Sequence, residues 1–179
     1  GSFSFEKVPY GTWIIREIES PKEYALSEEE IAVTIGKVDE VVEIELVNYF
    51  IKGNIALTKV DEDYPDNKLS GAVFEVYSDT NGDGKLDKDD TLLGEMKELD
   101  GGVYQMSELR YGKYLVKETK APTGFVLDED VYAVSIEENG KTYTVENKAG
   151  VGFINAAQKG SLKIVKTSSD GKVEGFSFR

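Results

Sequence analysis

One segment of the chain occurs twice, and this internal repeat restricts the folds that the chain can adopt. Residues 11–21 (GTWIIREIESP) recur as residues 112–122 (GKYLVKETKAP), with aromatic, aliphatic, acidic and proline positions in register. The correspondence continues downstream, where Asn48 matches Asn155. Repeats with a long period indicate tandem copies of one small structural unit. The sequence therefore predicts consecutive small units of the same fold.

The register of the repeat divides the chain into one complete copy between two partial copies. Residues 1–52 correspond to the C-terminal half of a repeat, and residues 53–159 form a complete repeat that carries an insertion. Residues 160–179 correspond to the N-terminal strands of a further repeat, because residues 173–178 (VEGFSF) resemble residues 69–74 (LSGAVF).

Each copy has the pattern of short β-strands. Segments rich in β-branched and aromatic residues alternate with polar residues, and clusters of Gly, Asn, Asp and Pro separate the segments. This pattern is typical of an all-β sandwich. Helical periodicity is weak: the best helical candidate is residues 27–30, and a polar turn after Leu26 explains that segment equally well.

Composition limits the partners that the chain can have. With 34 acidic and 21 basic side chains in 179 residues, the formal net charge is -13, which disfavours binding to nucleic acid and to anionic membranes. No apolar stretch approaches the length of a membrane helix, so we expect no membrane insertion in this segment. The absence of cysteine leaves no disulfide to stabilise a small domain, and the absence of histidine removes the commonest general base.

Three polar residue types occupy positions that strand alternation assigns to a buried face. Alternate residues of a strand point to the same side of a sheet, so a polar residue can share a face with apolar ones. In the complete repeat the three such sets are Ile55, Leu57 and Lys59; Tyr114, Val116 and Glu118; and Val151, Phe153 and Asn155. In the partial repeats they are Leu162, Ile164 and Lys166; Trp13, Ile15 and Glu17; and Ile44, Leu46 and Asn48.

Two interpretations of these buried polar residues are open from the sequence alone. An isolated buried charge is very costly, so Lys59 and Glu118 should lie close together and exchange a proton. The neutral amine could then attack the carboxamide of Asn155 and form an amide bond while Glu118 relays protons. The alternative is a buried ion pair between Lys59 and Glu118 with a hydrogen-bonded asparagine.

The motifs of the complete repeat resemble a known family. Residues 114–125 (YLVKETKAPTGF) are similar to the E-box of Gram-positive pilins and of collagen-adhesin B-type repeats, and residues 69–74 after Lys59 are similar to their opening. This resemblance implies a prealbumin-like or immunoglobulin-like β-sandwich. It also implies an isopeptide bond between Lys59 and Asn155 with Glu118 as the catalytic residue. The protein would then be a structural stalk module of a cell-wall-anchored surface adhesin or pilin, extracellular and without multiple-turnover enzymatic activity.

Each partial repeat has an incomplete set of the three residues. The first contains Glu17 and Asn48 without a lysine strand, and the third contains Lys166 but neither the glutamate nor the asparagine of the set. Residues 16–21 (REIESP) also depart from the usual E-box sequence. An exposed strand edge invites an added strand. We therefore predict that Lys166 of one molecule fills the first partial repeat of another, head to tail, and only monomers in light scattering at high concentration would contradict this.

The insertion in the complete repeat resembles a calcium-binding loop. Residues 79–90 (DTNGDGKLDKDD) follow the spacing of the EF-hand loop, with aspartate in place of the usual final glutamate and with strands expected on both sides. The alternative is a solvated acidic turn. The predicted oxygen ligands of Ca²⁺, which include the carbonyl of Lys85 and a water-mediated Asp87, are Asp79, Asn81, Asp83, Lys85, Asp87 and Asp90. No organic cofactor is expected.

Two other functions are compatible with the sequence. The repeats could form a module that binds a host protein or glycan, or an accessory module of a secreted polysaccharide-active enzyme. Neighbouring repeats of the same protein are the partners that the stalk interpretation requires.

Overall fold

The structure is a computed structural model and describes residues 1–171, 174, 175, 177 and 179. In this part of the chain, all regular secondary structure is β-strand, as the sequence pattern predicts. The strands are β1 Gly11–Arg16, β2 Glu30–Ile35, β3 Lys52–Asp61, β4 Val73–Ser78, β5 Thr91–Glu95, β6 Lys97–Leu99, β7 Val103–Arg110, β8 Gly112–Lys120, β9 Val131–Ile136, β10 Thr142–Thr144 and β11 Phe153–Asn155. No helix in the described residues is long and apolar enough to cross a membrane.

Strands β3 to β11 form the two sheets of a β-sandwich. One sheet has the order β10-β3-β7-β6, and β11 also pairs with β3; the other has the order β5-β4-β8-β9. Both β10 and β11 run parallel to β3 and occupy successive stretches of its edge, with Tyr143 opposite Ile55 and Phe153 opposite Lys59. The first and the last strand of this unit are therefore direct neighbours.

The core between the sheets consists of residues from most of the strands. Its fully buried centre includes Ile55 and Leu57 of β3, Phe74 of β4 and Val116 of β8. Phe153 of β11 packs edge-on against Phe74, with ring centroids 4.9 Å apart. Burial alternates along β3, as the period of two predicts.

The polypeptide before β3 forms a smaller unit whose only ladder is a two-stranded antiparallel sheet of β1 and β2. The strand predicted around residues 44–48 does not form, and Ile44 and Leu46 are exposed. In the complete sandwich the equivalent strand β11 pairs with the lysine-bearing strand β3. Within residues 1–51 the structure shows no equivalent of β3, so this segment lacks the neighbour that would fix it as a strand.

The strand predicted over residues 162–166 is also absent from the structure. Leu162 and Ile164 are exposed, and among the described residues neither of them pairs with a strand. In the predicted correspondence over residues 173–178, Val173, Phe176 and Phe178 lie outside the described residues.

The duplicated segments share backbone geometry as well as sequence. An isolated bridge joins Tyr24 to Phe50, and an equivalent bridge joins Phe125 to Ala157. The flanking hydrogen bonds recur too: Ala25 N donates to Tyr49 O at 2.8 Å, as Val126 N donates to Ala156 O at 2.9 Å. The same local sequence therefore folds in the same way at both places.

Candidate functional site

Three polar side chains are fully enclosed between the sheets. Lys59 lies on β3, Glu118 on β8 and Asn155 on β11, and their exposed fractions are 0%, 0% and 3%. Burial of each was predicted from its position on an apolar strand face. The glycine before β11 allows this assembly, because a Cβ atom on Gly152 would lie 2.8 Å from the carbonyl oxygen of Thr58 on β3.

The three side chains contact one another around the carboxyl group of Glu118. Lys59 Nζ lies 3.8 Å from Glu118 Oε1, and Asn155 Nδ2 donates to Glu118 Oε2 at 3.0 Å. The amine also donates to the carbonyl oxygen of Phe153 at 3.0 Å and lies 5.0 Å from the centre of that ring. Phe153 thus covers the amine with an apolar ring while its backbone orients Nζ.

Burial changes the acid–base properties of both ionisable groups. Desolvation lowers the pKa of the Lys59 amine to about 8, although attraction to Glu118 and Asp128 opposes the change. Desolvation also raises the pKa of the Glu118 carboxyl, against the opposing effect of its hydrogen bonds and of Lys59. A pKa near 8 in place of 10.5 increases the uncharged fraction of the amine at neutral pH roughly 300-fold.

The distance between the two ionisable groups is longer than that of a tight ion pair. A charge-assisted N–H···O bond is usually about 2.7–2.9 Å long, which is much shorter than the 3.8 Å between Lys59 Nζ and Glu118 Oε1. Among the described residues, neither Glu118 Oε1 nor Asn155 Oδ1 has a hydrogen-bond partner. A carboxylate left half-satisfied in a core is costly, whereas a protonated carboxyl group has a donor to offer.

Two further polar residues adjoin the site and were not predicted from the sequence. The backbone N–H of Asp128 donates to Glu118 Oε2 at 2.9 Å. The side chain of Asn147 donates to Asp128 Oδ2 at 2.7 Å and hydrogen-bonds the backbone of Ile154, next to Asn155. Both residues lie outside the strands, where alternation gives no information about which side chains face the core.

The first partial repeat reproduces the contacts between the acid and the amide. Asn48 Nδ2 donates to Glu17 Oε2 at 2.7 Å, and the backbone N–H of Ser27 donates to the same oxygen at 2.8 Å. Ser27 therefore occupies the position that Asp128 has beside Glu118. The pair of Glu17 and Asn48 is only partly buried. Lys166 Nζ donates instead to the carbonyl oxygen of Thr167. The structure does not bring Lys166 to Glu17 or Asn48.

The predicted calcium loop connects β4 to β5, so strands flank it as expected. Asp79 is nearly buried, and its two carboxylate oxygens accept the N–H groups of Gly82 and Gly84 at 2.7 and 3.0 Å. The carboxylate of Asp90 closes the loop by accepting N–H groups of Thr80 and Asp87.

The side chains of three further predicted ligands make contacts inside the same loop. Asn81 Oδ1 accepts the Asp83 N–H, Asp83 Oδ1 accepts the Lys85 N–H, and Asp87 Oδ2 accepts a hydrogen bond from Asn81 Nδ2. In the described part of the chain, no three His, Cys, Asp or Glu side chains converge in a way that could hold a metal ion.

Comparison with known proteins identifies the class of this sandwich. The family described as SpaA, prealbumin-like fold domain, matches residues 1–49 and 53–150. The chain therefore belongs to the SpaA prealbumin-like domain family, in agreement with the resemblance of its motifs to pilin and adhesin repeats. No curated protein sequence matches the chain significantly.

Two solved structures of Bacillus proteins are similar to this chain. The TIE protein of Bacillus anthracis is 30% identical with a TM-score of 0.64, and the match covers 84% of this chain and 26% of that protein. BcpA, the major pilin subunit of Bacillus cereus, is 29% identical with a TM-score of 0.45, over 60% of this chain and 31% of that one. The chain thus spans less than a third of the length of either relative.

Proposed function

We propose that this chain is a structural stalk module of a Gram-positive surface adhesin or pilin, and that an isopeptide bond joins Lys59 to Asn155. The observation that carries the proposal is the enclosed set of Lys59, Glu118 and Asn155, with Lys59 and Asn155 on paired strands and Glu118 on the other sheet. Family membership supports the stalk role, and the pilin BcpA is among the similar structures. No multiple-turnover enzymatic activity is part of the proposal.

The bond would form by attack of one side chain on another. The uncharged amine of Lys59 attacks Cγ of Asn155, so a new C–N bond forms, the Cγ–Nδ2 bond breaks and ammonia leaves. Glu118 accepts a proton from the attacking nitrogen and delivers a proton to the leaving nitrogen, so it ends as it began. No oxidant or other reactant is needed.

The position of this bond suits a load-bearing role. Lys59 lies on the first strand of the sandwich and Asn155 on the last, and the two strands are paired in parallel. A pull on the two ends of the unit would pass directly from one strand to the other through a covalent bond. The hydrogen bonds of the remaining strands would then carry little of the load.

The intact mass of the denatured protein, compared with that of Lys59→Ala, tests this proposal. A deficit of one ammonia in the parent and none in the variant supports the bond. A full unmodified mass in the parent would mean that the three residues form only a buried polar cluster, and this result would contradict the proposal.

We also propose that the loop of residues 79–90 binds Ca²⁺. Its backbone is curled around Asp79 by hydrogen bonds to Gly82 and Gly84. An ion would require the other ligands to exchange their present contacts within the loop for contacts to the ion. The ligands would be oxygen atoms of the loop, in keeping with the preference of calcium for hard ligands.

Calcium is expected to raise the melting temperature of the parent by several degrees, because an ion that binds only the folded state stabilises it. Differential scanning calorimetry with added Ca²⁺ and with chelator measures this rise. Asp83→Ala should remove the rise, whereas the control Asp66→Ala, in an exposed turn outside the loop, should retain it. An unchanged melting temperature in the parent would exclude the site.

A further inference from the structure

We propose that Asp128 and Asn147 are positioning residues that hold the acid and the amide in place for bond formation. This inference rests on the proposed isopeptide bond and concerns how its reacting groups are oriented. Neither residue touches Lys59 Nζ in a hydrogen bond, so their action would pass through Glu118 and the backbone of β11.

Asn147 takes the place of a neighbouring strand beside β11. Its Oδ1 accepts the N–H of Ile154 at 2.6 Å, and its Nδ2 donates to the carbonyl oxygen of Ile154 at 2.9 Å. Both backbone groups of that residue are thus satisfied by one carboxamide. Strand β11 has only three residues, and β3 pairs with it on the other side. Asn147 therefore fixes the residue that precedes Asn155.

Asp128 connects Asn147 to Glu118, the proposed catalytic residue. One carboxylate oxygen, Oδ2, accepts hydrogen bonds from Asn147 Nδ2 at 2.7 Å and from the Tyr132 hydroxyl at 2.8 Å. The other oxygen accepts the Asp130 N–H at 2.9 Å, while the backbone N–H of Asp128 reaches Glu118 Oε2 at 2.9 Å. The loop thereby presents a backbone donor to Glu118 Oε2, the oxygen that also accepts from Asn155.

The charge of Asp128 is maintained by the same contacts. Burial alone would raise the pKa of this carboxyl, but the hydrogen bonds from Asn147, Asp130 and Tyr132 outweigh burial and lower it. An ionised Asp128 accepts a stronger hydrogen bond than a protonated one, and this holds the side chain of Asn147 in place.

These hydrogen bonds connect Glu118 with Asn155, the two residues that act with Lys59 in the proposed reaction. The network runs from Glu118 through Asp128 and Asn147 to Ile154, and Ile154 is covalently joined to Asn155. Reaction between bound groups depends steeply on their alignment, and a displacement of about 1 Å can cost about 100-fold in rate. Loss of one member is therefore expected to slow bond formation without removing any reacting group.

The test measures the rate of bond formation in freshly synthesised protein. Parent and variants are pulse-labelled during cell-free translation and quenched in denaturing acid, and the loss of ammonia is followed by mass. We expect Asn147→Ala to form the bond at least about tenfold more slowly than the parent. The matched control is Asn139→Ala, which removes an exposed amide that accepts the Lys52 N–H at 3.1 Å and lies outside the network. This control should react at the parental rate.

Two further variants separate positioning from loss of folding. Melting temperatures of Asn155→Ala with and without Asn147→Ala show whether the unbonded fold persists, because neither protein can form the bond. Asn147→Asp places two carboxylates together and should be slow. The exchange Asp128→Asn with Asn147→Asp restores the donor and the acceptor between these two positions, but an aspartate at position 147 cannot donate to the Ile154 carbonyl, so only part of the rate should return.

The outcomes distinguish this inference from the proposed function. A parent that retains its ammonia overturns the isopeptide bond and the positioning role with it. A bonded parent together with a parental rate in Asn147→Ala overturns the positioning role alone.

Discussion

Denatured protein is expected to be lighter than its sequence mass by one molecule of ammonia, and essentially every molecule should show this deficit. The reacting groups are enclosed in a site that excludes water, and the product is an amide that does not revert under denaturing conditions. Mass spectrometry of the acid-denatured chain measures the deficit, and peptide mapping should place the branch between the segments that contain Lys59 and Asn155.

Single substitutions should restore the full mass for different reasons. Lys59→Met removes the nucleophile but keeps the volume and suits an apolar core, so this variant should fold without the bond. Glu118→Gln keeps the shape of the catalytic residue but cannot accept and return a proton. Retention of the ammonia deficit in Lys59→Met would show that another lysine is joined, and retention in Glu118→Gln would exclude proton relay by Glu118.

Under mechanical load the bonded chain should extend much less than a chain that lacks the bond. If Lys59 and Asn155 are joined, the polypeptide between them is a closed loop that force applied at the ends cannot straighten. A chain gains about 3.3–3.6 Å per residue on extension, so the loop hides roughly 300 Å of contour length. Single-molecule pulling on the protein, held by handles at both ends, measures this difference.

Lys59→Met provides the comparison for the pulling experiment, because its sandwich should unravel completely. The β1–β2 unit before the sandwich carries no lysine strand in this structure and serves as an internal reference that extends equally in both proteins. Equal total extensions of parent and variant would contradict the load-bearing role even if the mass deficit were present.

Much of the candidate site could be predicted from the alternation of residues along strands. Lys59, Glu118 and Asn155 share strand faces with apolar neighbours, and all three are buried. The prediction of burial succeeded because a strand in a sandwich has one inner face, so the position of a residue along the strand determines whether its side chain is buried. Alternation did not predict that both faces of β8 would be covered around Leu115, which is also fully buried.

The parts that sequence reasoning missed depend on contacts between distant segments. Asp128 contacts Glu118 through its backbone N–H, which has no signature in the amino-acid type, and Asn147 hydrogen-bonds the backbone of Ile154 from within a loop. The strands predicted around Asn48 and Lys166 failed for a related reason. Their sequences have the strand pattern, but a strand exists only where a neighbour completes its hydrogen bonds.

The three reacting groups come from positions 59, 118 and 155 of the chain, on strands β3, β8 and β11. They meet only when the sandwich has closed correctly, so the proposed bond can form in a folded molecule and not in an unfolded one. Because the bond outlasts later unfolding, each molecule would keep a permanent chemical record of having once reached its native state. The fraction of molecules that show the ammonia deficit would then equal the fraction that had folded at least once, even if the whole sample is denatured when its mass is measured.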